Sequence, residues 1–167
     1  MDSLTTEQRL RLLHQLEREA RTSPELLAKL VDLPEATVRQ FLSECEAQGI
    51  IRRYKTVIDW ERAGDERVSA FIDVKVQPAR DVGFDDVAAR IYRFPEVRSV
   101  YLVSGAYDLR VLIDGATMKE IASFVAEKLA TVDRVQATVT NFVLKKYKED
   151  GDVLAEPEED RRLAVTP

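Results

Sequence analysis

The chain has 167 residues, 45% hydrophobic and 33% charged, with a formal net charge of −5, enough for one ordinary domain or two small ones. No apolar run approaches the roughly 20 residues a bilayer span requires, and MDSLTTEQRL at the start has neither a basic nor an apolar leader region. A cytoplasmic location without a membrane partner is therefore expected. The single cysteine, Cys45, excludes an intrachain disulfide and a cysteine-cluster metal site, and its place on an apolar helical stripe reads as a buried, inert thiol.

Thr5 and Gln8 form a capping box, so TTEQRLRLLHQLER over 5–18 predicts a first helix with Leu10, Leu13 and Leu16 close to one face. Ser23 caps a second helix over 24–31, with Pro24 at its first position and Glu25 at the positive end of the dipole. Leu26, Leu27 and Leu30 are its expected buried side. After Asp32-Leu33 a third helix opens with Pro34-Glu35, spaces Val38, Phe41, Leu42 and Cys45 at i, i+3, i+4 and i+7, and stops at Gly49. Two helices joined by so short a turn make a helix-turn-helix, assigned to 1–52. Ile50-Ile51, the basic run Arg52-Arg53-Tyr54-Lys55 and the alternating Thr56-Val57-Ile58 read as a wing or linker strand, with the linker assigned to 53–66.

From Val68 the hydrophobic period changes to two. VSAFIDVKV predicts a strand, DVGFDDVAARIYRF a helix carrying Val82, Val87, Ile91 and Phe94, and VRSVYLVS and DLRVLID two further strands. MKEIASFVAEKLATV predicts a helix with Ile121, Phe124, Val125 and Leu129 inward, and VQATVTNFVL a last strand. The fold class is α+β: an N-terminal winged helix-turn-helix and, over 67–148, a C-terminal ferredoxin-like βαββαβ domain with both helices on one face of an antiparallel sheet. In the third strand Leu109, Val111 and Ile113 take one side, and Asp108, Arg110, Leu112 and Asp114 the other; in the second, Val100, Leu102 and Ser104 oppose Tyr101 and Val103. Both faces are partly apolar, so a second copy packed sheet to sheet is the expected cover, and the protein should be a homodimer.

The charge is uneven along the chain. Residues 1–60 hold 9 Lys+Arg against 10 Asp+Glu, residues 61–148 hold 14 against 13, and residues 149–167 hold 2 against 7. The acidity thus lies in a terminal segment without hydrophobic periodicity, expected to be a disordered tail over 149–167. His14 is the sole histidine, among leucines of the first helix, and reads as structural. Without a glycine-rich phosphate loop, a paired-carboxylate motif or metal-spaced ligands, no catalytic residue, metal or cofactor is expected.

A helix-turn-helix followed by a ferredoxin-like domain resembles the Lrp/AsnC family of transcription regulators over residues 5–148. LAKLVDLPEATVRQFLSECEAQGIIRRYKTVID carries the resemblance in the first half, and PEVRSVYLVSGAYDLRVLID, with the spacing V-x-x-V-x-x-V-x-G-x-Y-D, carries it more specifically in the second. The resemblance implies a sequence-specific regulator of double-stranded DNA. Its third helix would enter the major groove with Thr37, Arg39, Gln40 and Ser43, Arg39 suiting guanine and Gln40 adenine. Lys29, Arg52, Arg53 and Lys55 would meet phosphates, or else form a solvated edge.

The resemblance also implies an amino-acid effector held between dimers by the loop after the second strand, and assembly of the homodimer to a tetramer or octamer. The effector residues are then Tyr101, Ser104, Gly105, Ala106, Tyr107 and Asp108, with Thr138 and Thr140 as hydroxyl partners. Gly105 would let backbone amides approach a carboxylate while Asp108 holds an ammonium; alternatively the stretch is a tight turn with Gly105 at positive φ and Asp108 capping its own backbone. The chain departs from the family pattern at Asp32, where a small or glycine residue is usual, at Pro34, where a serine cap is usual, and at Gln40, Phe41, Ser43 and Glu44, where the recognition helix usually carries several more basic residues. Weak DNA affinity per subunit, offset by avidity, is the consequence. Two other readings stay open: an effector-sensing oligomer that modulates a partner with little DNA contact of its own, and a decarboxylase of similar two-domain architecture.

Overall fold

In the computed structural model, which describes residues 4–77 and 83–154, Thr5 opens the first helix as its side chain dictates. Helix α1 spans Thr6–Arg18, and the Thr5 hydroxyl and Gln8 amide complete the reciprocal capping box. Helix α2, Pro24–Val31, starts under the Ser23 hydroxyl and ends on Asp32, which adopts φ 54°, ψ 52°. Aspartate is among the few non-glycine residues that enter this left-handed region readily, so the sharp turn forms without a glycine there. Helix α3, Glu35–Ala47, follows without a side-chain cap at Pro34. Gly49 at φ +68° ends it in a Schellman turn, the Ile50 amide donating to the Cys45 carbonyl and the Gly49 amide to that of Glu46.

The first unit ends between Val57 and Ile58. Its core joins Leu12, Leu16, Leu27, Ala28, Val31, Val38, Phe41, Leu42 and Cys45. The stripe of α3 is the expected one, but those of α1 and α2 are displaced. Leu10 and Leu26 are exposed, Leu13 and Leu30 half-buried, and Leu12, Leu27, Ala28 and Val31 take the interior places. Consecutive leucines satisfy more than one stripe at a period of 3.6, and packing chooses between them. The segment 53–66 forms no strand, contrary to expectation. Among the described residues it has no neighbouring strand to ladder with, and alternation alone does not make a sheet.

In the second unit β1 (Val68–Val76), α4 (Phe84–Ile91), β2 (Val97–Leu102), β3 (Leu109–Gly115), α5 (Met118–Phe124) and β4 (Val135–Phe142) follow in the expected order. A single π turn, Val125–Leu129, continues α5. The sheet is antiparallel with strand order β2-β3-β1-β4. Ala70, Ile72 and Val74 of β1 and Leu109, Val111 and Ile113 of β3 pack with Val87, Ile91, Ile121, Phe124 and Leu129 of the helical layer. Val82, expected in the first of these helices, lies outside the described residues.

The acidic tail departs from expectation over its first residues. Lys148–Glu149 (β5) and Asp152–Val153 (β6) pair as a small hairpin around Asp150 and Gly151, both at positive φ, the turn that a two-residue hairpin loop favours. Asp-Gly is a local turn signal that the charge balance of the segment does not reveal. Arg98 Nη1 lies 2.9 Å from Asp114 and 3.9 Å from Glu149, linking the hairpin to the sheet. Residues 155–167 of the expected tail lie outside the described residues.

Candidate functional site

Helix α3 presents Arg39, Gln40 and Ser43 to solvent, with Thr37 half-buried in its first turn. Glu35 Oε1 accepts from Arg39 Nε and Nη2 at 2.7 and 2.6 Å, and Gln40 Nε2 donates to Glu44 Oε1 at 2.8 Å. On α2, Lys29 Nζ donates to Glu25 Oε1 at 2.7 Å, lowering the pKa of Glu25 and raising that of Lys29. Each partner sits four residues away on the same helix, and such exposed pairs re-form at little cost. Helix α3 carries three carboxylates against one guanidinium, so its own charge supplies no net attraction to phosphate.

The basic segment after α3 is anchored to that helix. A Cβ on Gly49 would come within 3.2 Å of Arg52 Nη1, so the Arg52 guanidinium lies over the glycine. Two residues on, Tyr54 Oη donates to Glu46 Oε1 at 2.7 Å. Burial and this hydrogen bond push the Tyr54 hydroxyl up to about 12. Arg53 and Lys55 flank it. Sequence reasoning missed Tyr54 as part of this surface, because an aromatic within a basic run does not reveal a partner eight residues earlier.

In the second unit the loop between β2 and β3 is closed by the Val103 amide donating to the Asp108 carbonyl at 2.9 Å. Ser104, Gly105 and Ala106 are exposed and Tyr107 half-buried. Gly105 has φ +150°, and nothing lies within 4 Å of the place a Cβ would occupy. Asp108 Oδ2 accepts from the Val76 amide at 2.9 Å, and Oδ1 lies 3.3 Å from Lys75 Nζ. The carboxylate therefore caps the neighbouring strand β1 and not its own backbone. The Val76 amide above all, with Lys75 adding and burial opposing, holds its pKa below the ordinary value.

Tyr101 is exposed on the helix-free face, in register with Arg110. Thr138 and Thr140 are elsewhere. They pair with Val74 and Ile72, whose side chains enter the helix-packed core, and β1 stands between them and β3. Asp108 precedes core-facing Leu109 and takes the opposite side, so strand alternation separates these threonines from it. No local pattern in the sequence places Lys75 beside Asp108, because the contact spans 33 positions.

The same helix-free face holds a polar cluster among apolar side chains. Asp73, only 7% exposed, accepts from Arg110 Nε and Nη2 at 2.7 and 3.1 Å and from Asn141 Nδ2 at 3.3 Å. The pairing raises the Arg110 pKa further. Phe71, Leu112, Val139 and Tyr101 stand in register around the cluster.

A winged helix-turn-helix DNA-binding family model matches residues 5–52, and the Lrp/AsnC ligand-binding domain matches residues 69–153. An HTH-type transcriptional regulator of Bacillus subtilis, YugG, is 47% identical over 163 residues, covering 97% of this chain and 98% of that protein. Among solved structures, transcriptional regulator NMB0573 of Neisseria meningitidis in complex with L-Met is 26% identical, with a TM-score of 0.69, covering 92% of this chain and 97% of that one. E. coli AsnC, at 23% identity and a TM-score of 0.67, shares the fold over 87% of this chain and 96% of its own. The chain belongs to the Lrp/AsnC family of helix-turn-helix transcriptional regulators. No helix among the described residues is long and apolar enough to cross a membrane.

Proposed function

We propose that this regulator reads DNA with Arg39, Gln40, Thr37 and Ser43 of α3, meets phosphates with Lys29, Arg52, Arg53 and Lys55, and responds to a free amino acid bound at the Ser104–Asp108 loop. The observation that carries the effector reading is the loop itself. Gly105 leaves open space beside exposed backbone, and the Asp108 carboxylate stands three residues on; a zwitterion needs backbone donors and a carboxylate acceptor together. The L-Met complex of the Neisseria regulator supports an amino acid as the class of effector.

The helix-free sheet face supports a homodimer. Phe71, Val139 and Tyr101 are 38, 41 and 54% exposed there, an apolar rim around Asp73 and Arg110 that a second copy would cover. Effector binding then shifts assembly of dimers into larger oligomers, and with it the number of half-sites engaged at once. The test is titration of a fragment of the protein's own promoter region at two salt concentrations, with and without each of the twenty amino acids, beside sedimentation. Salt-sensitive, sequence-preferring binding altered by one amino acid supports the reading. Absence of DNA binding at low salt, from an oligomer that still binds an amino acid, selects the second reading, a sensor acting through a partner; the carboxylate-rich surface of α3 is the feature that favours it.

A further inference from the structure

We propose that Lys75 is a specificity residue of the effector loop: its ammonium holds Asp108 within the chain, yields that carboxylate to the ammonium of an incoming amino acid, and takes the amino acid's carboxylate in return. The inference rests on the effector reading above and adds the device that selects the zwitterion. Asp108 makes two contacts of unequal quality. The Val76 amide donates to Oδ2 at 2.9 Å, an ordinary hydrogen bond, whereas Lys75 Nζ stands 3.3 Å from Oδ1. A well-made ammonium–carboxylate bond is about 2.7–2.9 Å, so the lysine contact is the displaceable one. An amino-acid ammonium offers the same three N–H donors and replaces it like for like.

The sheet is irregular where this exchange needs it. The β1–β4 register shifts between Lys75 and Val76: Lys75 pairs with Ala137 and Val76 with Val135, leaving Gln136 over. Such a bulge re-aims side chains; the Val76 amide faces Asp108 by strand alternation, since Val74 two residues earlier accepts from the Asp108 amide and Gln77 donates to Arg134 on the opposite edge. Lys75 keeps 41% of its side chain exposed and Asp108 18%, so the lysine can swing on its flexible stem while the carboxylate stays fixed by β1.

Charge accounting gives the selectivity. A zwitterion converts one internal ion pair into two, ammonium to Asp108 and carboxylate to Lys75. The corresponding amide displaces Lys75 and leaves it without a counter-ion. The N-acetyl derivative cannot replace Lys75 at all. The chain is therefore built to prefer a free α-amino acid with both charges.

The test compares each of the twenty amino acids with its α-amide by calorimetry on the full chain, L-methionine and L-methioninamide among them. In Lys75→Met the ratio of amide Kd to amino-acid Kd falls at least about tenfold, the size of one charge-assisted hydrogen bond. Lost competition tightens the amide and the lost carboxylate partner weakens the zwitterion, so both changes move the ratio the same way. Lys75→Arg, which keeps a cation, retains the wild-type ratio and guards against a fold defect. An unchanged ratio in a Lys75→Met protein that binds amino acids overturns the role of Lys75 alone. Failure of the wild type to bind any of the twenty overturns the effector reading with it.

Discussion

The two units hold their functional side chains by contacts of different range. In the first, Arg39, Gln40 and Lys29 lean on Glu35, Glu44 and Glu25, each four residues away. In the second, Lys75 meets Asp108 across 33 positions, Arg110 meets Asp73 across 37, and Asn141 meets Asp73 across 68. Local surface pairs cost little to break, so on the reading proposed above the groups of α3 are free to re-pair with bases. Partners joined by the sheet are fixed by folding itself, which suits a site that must present one geometry to a small molecule. The difference teaches that reading and sensing place opposite demands on side-chain preorganisation.

The largest effects should come from the cores, and they test whether the units are as separate as this contrast implies. Leu27 and Ile72 are each fully buried, one in each unit, and Leu27→Ala or Ile72→Ala should cost about 2–5 kcal/mol. Trp60, the single tryptophan, carries the Arg67 guanidinium 4.4 Å from its ring centroid and belongs to the second unit. In urea unfolding, Leu27→Ala should move the transition seen by helical circular dichroism and leave that seen by Trp60 fluorescence in place. A common shift in both signals would merge the two units.

Next in size are the DNA contacts. Arg39→Ala should lose about 1–3 kcal/mol of discrimination at one base pair. Arg52→Ala should weaken all sequences alike and reduce the salt slope by about one. Promoter-fragment titrations at several salt concentrations separate the two patterns. Equal behaviour of the two variants would mean that α3 is not reading bases.

The same contrast of range explains what was legible in the sequence. The capping residues Thr5 and Ser23, the stripe Val38-Phe41-Leu42-Cys45 and the βαββαβ order all rest on near neighbours, and they match the structure. The loop Ser104–Asp108 was legible through its motif. The partner of Asp108 was not, since no local pattern brings Lys75 to it. Thr138 and Thr140 failed for a related reason: the face of a strand was visible, but its side of the sheet is set by pairing with Ile72 and Val74. The linker strand failed because alternation specifies a surface and not a partner, and the hairpin at Asp150-Gly151 because net charge describes a whole segment and not the two residues that turn it.

Asp108 gives a smaller effect with a defined sign. Its pKa in the folded chain lies below the ordinary 3.8, chiefly through the Val76 amide. The folded state therefore binds the proton less readily than the unfolded one. The carboxylate contributes stability that is complete above the unfolded value and is lost as pH falls through the folded one. Asp108→Asn should flatten the urea midpoint against pH below about 4, with little change at neutral pH beyond the loss of one brace. A wild-type slope in this variant would mean that Asp108 does not cap β1 in solution. This result would also weaken the preorganised half of the contrast.

Tyr54 carries the smallest effect and the sharpest test of the first unit, because its bond to Glu46 ties the basic segment after α3 back to that helix. Its hydroxyl is pushed from 10 to about 12 by burial first and then by the Glu46 carboxylate. Because the raised pKa keeps the proton on the folded chain, the associated stability is complete below pH 10, erodes between about 10 and 12, and is gone above. Five tyrosines are present, so absorbance at alkaline pH should show one of them ionising late, and Tyr54→Phe should remove that component alone. Glu46→Gln should bring it back only part of the way, since desolvation of the hydroxyl, the larger cause, persists. Tyr54→Phe should lower stability by about 1 kcal/mol and release the segment that carries Arg52 and Arg53. DNA affinity should then fall evenly across sequences while the base preference set by Arg39 stays. Lost base preference in Tyr54→Phe would place the brace under α3 itself and make reading, like sensing, depend on a preorganised contact.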